Sequence, residues 1–425
     1  MEKLIKYLYY ISILCFALPS GGILGIPIKI LVTFGLLFLF LGSRLIKNQP
    51  IRVDGVVRGF VLVMAALSIW ACIGIYNGYD TVLMAAKSFL SLLMTVLISY
   101  LLIQNKVVSL REAMRALFLT AVLMVGIKLV CEMAMLSGVL DWYTFRDLYQ
   151  AVTGTVVTTM QIPLGGITVY RIMATNDYLP LVLMGFYLLY EKAATWFKWV
   201  VIAVLGVYTF IVYSRVAMLQ YAIIVVFYAA SLIWDLFRHR TRTKVLWFCL
   251  CAGGVLLGAV VMFVWKKDMI ISAIATFASS MYERWLGDSA IYSDSFRIEQ
   301  KAFLWAGIWK TPILGQGLGG YVREYLRSDV VPFSYEAEYL SFIYQFGFLG
   351  FILIIGGILG VFAKICFAGI RKNRMWILVL LNFGIWAARP LYNPQFLSSS
   401  SGMIIVAIFL AAHYYSQMLK KEEEI

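Results

Sequence analysis

Eight arginines and seven carboxylates recur in the polar stretches between long apolar runs. They are Arg146, Arg171, Arg215, Arg284, Arg297, Arg323, Arg327 and Arg389, with Asp141, Asp177, Glu283, Asp294, Glu299, Glu336 and Glu338. A guanidinium presents a planar fork that holds a phosphate through two parallel hydrogen bonds. Several converging in a partly dry cavity would hold a diphosphate. A carboxylate at hydrogen-bond distance from a hydroxyl can serve as general base. For any single arginine, a salt bridge inside an ordered loop is the competing role. Arg215 differs, because it sits in VYSRVAMLQYA where two apolar runs meet with almost no loop. An ionisable residue pinned there is expected to face a cavity or a substrate path. Metal chemistry has little to draw on. Cys249 and Cys251 are two apart, so on a helix they point to different faces and cannot chelate together. All six cysteines fall in or beside apolar runs and read as fillers, so no metal site, cofactor or disulfide framework is expected.

The elements that must position these residues are membrane spans. The chain has 425 residues, is 62% hydrophobic and has a mean hydropathy of +0.86. Apolar segments of membrane-crossing length follow one another end to end. The reading is all-α and polytopic, a single integral membrane domain over 1–425 with about twelve spans: 4–19, 25–43, 58–76, 83–103, 115–137, 177–191, 198–214, 216–235, 245–265, 339–363, 375–389 and 400–417. The termini and the even-numbered connections carry 21 of the 36 lysines and arginines against eight of the 22 acids. The positive-inside rule makes that face cytoplasmic and places both termini there. The net charge of +14 is therefore topology charge with some attraction to anionic lipid, and no nucleic-acid partner is expected. The basic run Phe237 to Lys244 reads as a stop signal between spans eight and nine. The first apolar run has no small-residue cleavage site after it and is expected to stay as a helix. His239 and His413 both fall on the cytoplasmic side, so the outer face has no histidine.

Two outer segments interrupt the spans, a first loop at 138–176 and a large helical loop at 266–338 before span ten. Loops this long are usually functional or disordered. Their aromatic residues argue for packed helices lying against the membrane. Gly315, Gly317, Gly319 and Gly320 could form a backbone nest for phosphate, or a turn that lets the chain pack closely. Arg389 opens RPLYNPQFLSSSSG, either a sugar-binding segment or a plain loop. Lys128 and Glu132, four apart in span five, could pair on one helix face.

Three motifs carry a resemblance. SRVAMLQYA is similar to the Ser-Arg-x-x-x-Leu segment of the O-antigen polymerase and ligase superfamily. KTPILGQGLGGY, from Lys310 to Tyr321, resembles its Pro-x-x-Gly-x-Gly-x-Gly turn. EAEYLSFIYQFGFLG, from Glu336 to Gly350, resembles the segment in which a His, Asp or Glu is followed by Tyr-Leu and then an aromatic-Gly-x-x-Gly. Arg171 with Asn176, and Arg297 upstream of the turn, also match. The motifs together cover about residues 170–350.

The resemblance implies a multi-span, GT-C-like glycosyltransferase that needs no metal. Its donor would be a glycan on a polyprenyl diphosphate in the outer leaflet, and its acceptor a second lipid-linked glycan. The acceptor hydroxyl would attack the anomeric carbon with inversion while the lipid diphosphate leaves. Arg215, Arg171, Arg297, Arg323, Arg327 and Arg389 would gather the charge on that leaving group. Glu338 would be the base, Glu336 the second choice and Asp294 a distant third. Tyr339 and Asn176 would contact the acceptor. Ligases of the superfamily carry His where Glu336 stands, which argues for a polymerase of surface polysaccharide in a bacterial cytoplasmic membrane. A chain-length regulator and a flippase are candidate partners. The rivals are a ligase, a twelve-span transporter or flippase, and a structural subunit of an export machine.

Overall fold

The computed structural model describes residues 1–18, 28–153, 161–164, 167–174, 176–239, 275, 279, 282, 288–326, 328–370, 373–391 and 394–423. Span nine, Arg284, Arg327, Glu283, Cys249, Cys251 and the side chain of Asp294 lie outside that description. Among the described residues the protein is an all-α polytopic membrane protein. Eight of its helices are long and apolar enough to cross a membrane.

The helices are α1 (Glu2–Leu14), α2 (Ile28–Ile46), α3 (Gly55–Tyr76), α4 (Val82–Gln104), α5 (Leu110–Leu136), α6 (Trp142–Thr153), α7 (Tyr178–Tyr190), α8 (Thr195–Val212), α9 (Arg215–His239) and α10 (Asp288–Ile308). After α11 (Glu338–Gly350) a π-helical stretch, Phe351–Gly356, leads into α12 (Gly357–Phe367); α13 (Asn373–Ala388) and α14 (Ser399–Glu423) follow. Polar residues set the starts of two spans. Asp54 accepts from the amides of Val56 and Val57 at 2.9 and 3.0 Å and caps α3. Ser109 accepts from the amide of Glu112 at 3.3 Å, the first half of a capping box on α5.

From Met403 to Ala412 every residue of α14 is buried, which marks it as the axis of the bundle. Around it stand α4, α5, α7, α12 and α13. Ion pairs tie the basic connections together at one end: Lys6 to Glu112 at 2.9 Å, Lys47 to Glu2 at 2.6 Å, and Arg374 to Asp235 at 2.6 Å. The two long connections lie at the other end. The first is not helical throughout. It holds α6 and then an antiparallel hairpin, β1 (Gln161–Leu164) with β2 (Ile167–Tyr170), in the register Gln161 to Tyr170.

Among the short helices, two lead to the polar site. With 13 residues, α7 is about 20 Å long, and α13 with 16 is about 24 Å. A bilayer core is about 30 Å thick. The 27-residue α5, packed against α7, reaches about 40 Å. The chain therefore leaves regular helix at Asp177 and at Arg389 within a ring of longer helices.

The glycine-rich turn is a wedge. Gly315, Gly317 and Gly319 adopt φ of 69°, 91° and 80°, open to glycine without strain. Six successive amides all donate within the protein. Gly315 bonds Thr311 O at 2.9 Å, Gln316 bonds Tyr344 O at 3.0 Å and Gly317 bonds Gln345 O at 2.7 Å. Leu318 bonds Trp70 O at 2.8 Å, Gly319 bonds Gln345 Oε1 at 2.9 Å and Gly320 bonds Gly317 O at 3.1 Å. These donors are spent on joining α3 to the kink of α11, where Gly347 has a φ of 61°. A Cβ on Gly317 would meet Gly74 N at 2.1 Å, whereas one on Gly360 meets nothing within 4 Å. Gly317→Ala is therefore expected to cost about 2 kcal/mol or more, and Gly360→Ala to be neutral or slightly stabilising. Thermal unfolding of the two detergent-solubilised variants checks the contrast.

Candidate functional site

The polar site is built where α7 and α13 stop short. Tyr178 begins α7, and the guanidinium of Arg389 lies over its ring, 3.8 Å from the centroid. Arg389 is only 4% exposed and donates to Gln395 Oε1. The Tyr178 hydroxyl and Ser214 Oγ are 3.0 Å apart. Ser214 precedes Arg215, which opens α9. The left-handed Tyr213, with a φ of 47°, turns the chain from α8 into α9 within two residues. Arg171 comes in from the hairpin side, its Nε donating to Val212 O at 3.4 Å. Burial pulls the Arg171 guanidinium down from its ordinary pKa, while nearby Tyr178, Asp177 and Tyr213 act the other way. The structure thus brings Arg171 and Arg389 to one tyrosine, and Arg215 follows the serine that bonds its hydroxyl.

Glu338, at the first turn of α11, is 5% exposed and within electrostatic reach of Arg389. Its Oε2 accepts from the amide of Phe396 at 2.9 Å and its Oε1 from that of Leu397 at 3.4 Å. The carboxyl group thereby fixes the approach to α14 and keeps its remaining lone pairs. Glu336, two residues earlier, pairs with Arg297 of α10 at 2.5 Å, and its amide donates to Gln300 Oε1 at 2.9 Å. Tyr339 donates to Ala387 O at 2.5 Å and ties α11 to the end of α13.

The remaining residues lie apart from this cluster. Arg323 is exposed, over the ring of Tyr79 at 5.8 Å. Arg146 pairs with Asp147 at 3.1 Å on α6. Asp141 accepts from the amides of Tyr143 and Thr144 at the start of α6, at 2.9 and 3.1 Å. Asn176 is buried and donates to Phe16 O at 2.5 Å. In the large loop Tyr335 is buried, accepts from the amide of Val322 at 2.9 Å and donates to Tyr325 O at 3.1 Å. Burial pushes its phenol up to about 12.

One pairing differs from the expectation. Lys128 reaches Asp177 at 2.5 Å, while Glu132 accepts from the amide of Tyr170 at 2.8 Å. The lysine meets a carboxylate brought to it by tertiary packing, and the glutamate satisfies a hairpin amide that would otherwise be buried alone. Tyr178, Asp177 and Tyr208 carry no motif in the sequence. The lone signal that could point to them is a lysine inside an apolar span, which must have a partner somewhere.

The fold and the site define an integral membrane protein with a polar junction in which Arg171 and Arg389 meet Tyr178. No family model matches this chain, and no curated protein or solved structure matches it either.

The Tyr178 ring and hydroxyl have separable parts. Tyr178→Phe keeps the ring beneath Arg389 and loses the Ser214 bond, at an expected cost of about 1 kcal/mol. Tyr178→Leu loses both and is expected to cost about 3 kcal/mol. Unfolding in mixed micelles distinguishes them, and equal losses would mean that the stacked cation adds nothing.

Proposed function

We propose that this protein is a polysaccharide polymerase that joins polyprenyl-diphosphate-linked repeat units by inverting glycosyl transfer. In this reading it lies in a bacterial cytoplasmic membrane with twelve spans, the ninth at 245–265. Both termini face the cytoplasm and the junction around Tyr178 faces out. The observation that carries the reading is the gathering of Arg171 and Arg389 about Tyr178, with Arg215 next to the Ser214 that bonds the same tyrosine. Guanidinium groups held partly away from water suit a diphosphate that gathers charge as its bond to the sugar breaks. In this reading Arg297, Arg323 and Arg327 of the large loop guide the lipid-linked substrates.

Glu338 is the base of choice, since it lies beside Arg389 and keeps lone pairs beyond its two amide bonds. It would take the proton of the acceptor hydroxyl as that oxygen attacks the anomeric carbon. Glu336 is the second choice, held by Arg297. Tyr339 and Asn176 are the acceptor-side candidates. The three motifs resembling the O-antigen polymerase and ligase superfamily support the same reading. Transfer to a different acceptor, as in a ligase, uses the same chemistry. A transporter is the reading from another class, and the ion pair of Lys128 with Asp177 inside the bundle is the observation that favours it.

Polymer length in cells lacking the native protein tests the proposal. At matched membrane levels, Arg215→Ala and Glu338→Gln are each expected to slow polymerisation about 100-fold and leave single lipid-linked units. Normal polymer from both variants would remove the site. A wild-type protein without effect on chain length, yet moving lipid-linked units across the membrane, would hand the reading to a transporter.

A further inference from the structure

The connection from Arg171 to Asp177 bears one guanidinium of the junction and ends at the tyrosine beneath Arg389. Its described residues lie in no helix or strand, and the local backbone bond among them is a turn, Asp177 N to Ala174 O at 3.3 Å, so other partners are needed from outside. Lys128 Nζ donates to Ile172 O at 2.7 Å and to Asp177 Oδ1 at 2.5 Å. Asp177 Oδ2 accepts from the amide of Ala174 at 2.6 Å. The Tyr208 hydroxyl donates to Asp177 Oδ1 at 3.2 Å. The amide of Ile172 is held by Ile211 O at 3.1 Å.

Behind the connection lies a mostly apolar cavity of about 230 Å³, lined by Met124, Phe145, Tyr149, Ile172 and Ala174, with Lys128 and Asp177 at its polar edge. The connection therefore lacks close packing on that side. Two charges buried at 8% and 0% exposure are a costly way to join helices, since apolar side chains of the same volume often do as well or better. What apolar side chains cannot do is bond Ile172 O and the Ala174 amide. Asp177 also lies within electrostatic reach of both Arg171 and Arg389, a shared counter-charge between the two.

We propose that Lys128 and Asp177 are positioning residues: their ion pair staples the 171–177 connection so that Arg171 and Tyr178 stand in register with Arg389 for the substrate diphosphate. This rests on the glycosyltransferase reading above. Tyr208 is the third member of the staple, fixing Asp177 from α8.

The test separates folding from turnover in the full-length protein. Lys128→Met and Asp177→Leu alone leave a buried charge without its partner and are expected to lower both accumulation and activity. The double variant Lys128→Met/Asp177→Leu removes both charges but leaves Ile172 O and the Ala174 amide without these partners, so its thermal midpoint is expected to rise above both single variants while staying a few degrees below wild type. Its kcat/KM with lipid-linked repeat units is expected to stay at least about tenfold low, because the connection is no longer held. A purely structural pair would instead restore turnover together with the midpoint, and that result overturns the proposal. Should the double variant not accumulate, Tyr208→Phe decides. A roughly threefold fall in kcat/KM at an unchanged midpoint supports the staple, and unchanged kinetics overturn it. A wild-type protein that makes no polymer would remove the glycosyltransferase reading and the proposal with it, whereas normal polymer from a refolded double variant removes the staple alone.

Discussion

Backbone that leaves a helix inside a membrane has no water to turn to, so each of its amides and carbonyls needs a partner within the protein. This constraint shapes the polar end of the bundle. α7 and α13 are too short to span the hydrocarbon by themselves, and the chain beyond each is bonded by neighbouring helices. Lys128, Asp177 and Ile211 serve the connection before α7. Gln345 and Trp70 serve the glycine turn, and Glu338 serves the amides that lead into α14. The same segments carry Arg171 and Arg389 to Tyr178.

The carboxylates and the arginines divide the work. Asp177 and Glu338 are buried and bonded to backbone amides, so each shapes a segment while lowering the electrostatic cost of gathering guanidinium groups. Arg389 gains an aromatic face as well, which holds a cation without cancelling its charge. In the proposed reading, a site that attracts a dianionic leaving group and still remains folded when empty needs that balance. The large loop adds a further pair, Arg297 with Glu336, two residues from Glu338.

Much of the fold is legible in the sequence because its signals are local. Runs such as 58–76 and 83–103 need only length and hydropathy to be read as helices, and α3 (Gly55–Tyr76) and α4 (Val82–Gln104) match them within a few residues. The grouping of the basic connections at one end follows from counting charges, and the ion pairs at that end agree with it. The hairpin at 161–170 is not legible, because a four-residue strand beside glycines looks like loop. Partner choice is the other limit. Lys128 has Glu132 one helical turn away, yet it meets Asp177, 49 residues on, because packing of α5 against α7 decides which carboxylate is near. Arg215 can be singled out from its place between two runs, whereas Tyr178, the ring that Arg389 stacks on, carries no motif and is reached only indirectly, through the lysine inside α5 that needs a partner.

The most direct test of the central claim is equilibrium binding of polyprenyl diphosphate to the purified protein in nanodiscs, beside the monophosphate and the free polyprenol. The account predicts tightest binding of the diphosphate, a weakening of about tenfold or more in Arg171→Gln and Arg389→Gln, and little change in Arg146→Gln. Equal affinity for the diphosphate and the free alcohol, unaffected by substitution of Arg171 or Arg389, would contradict it.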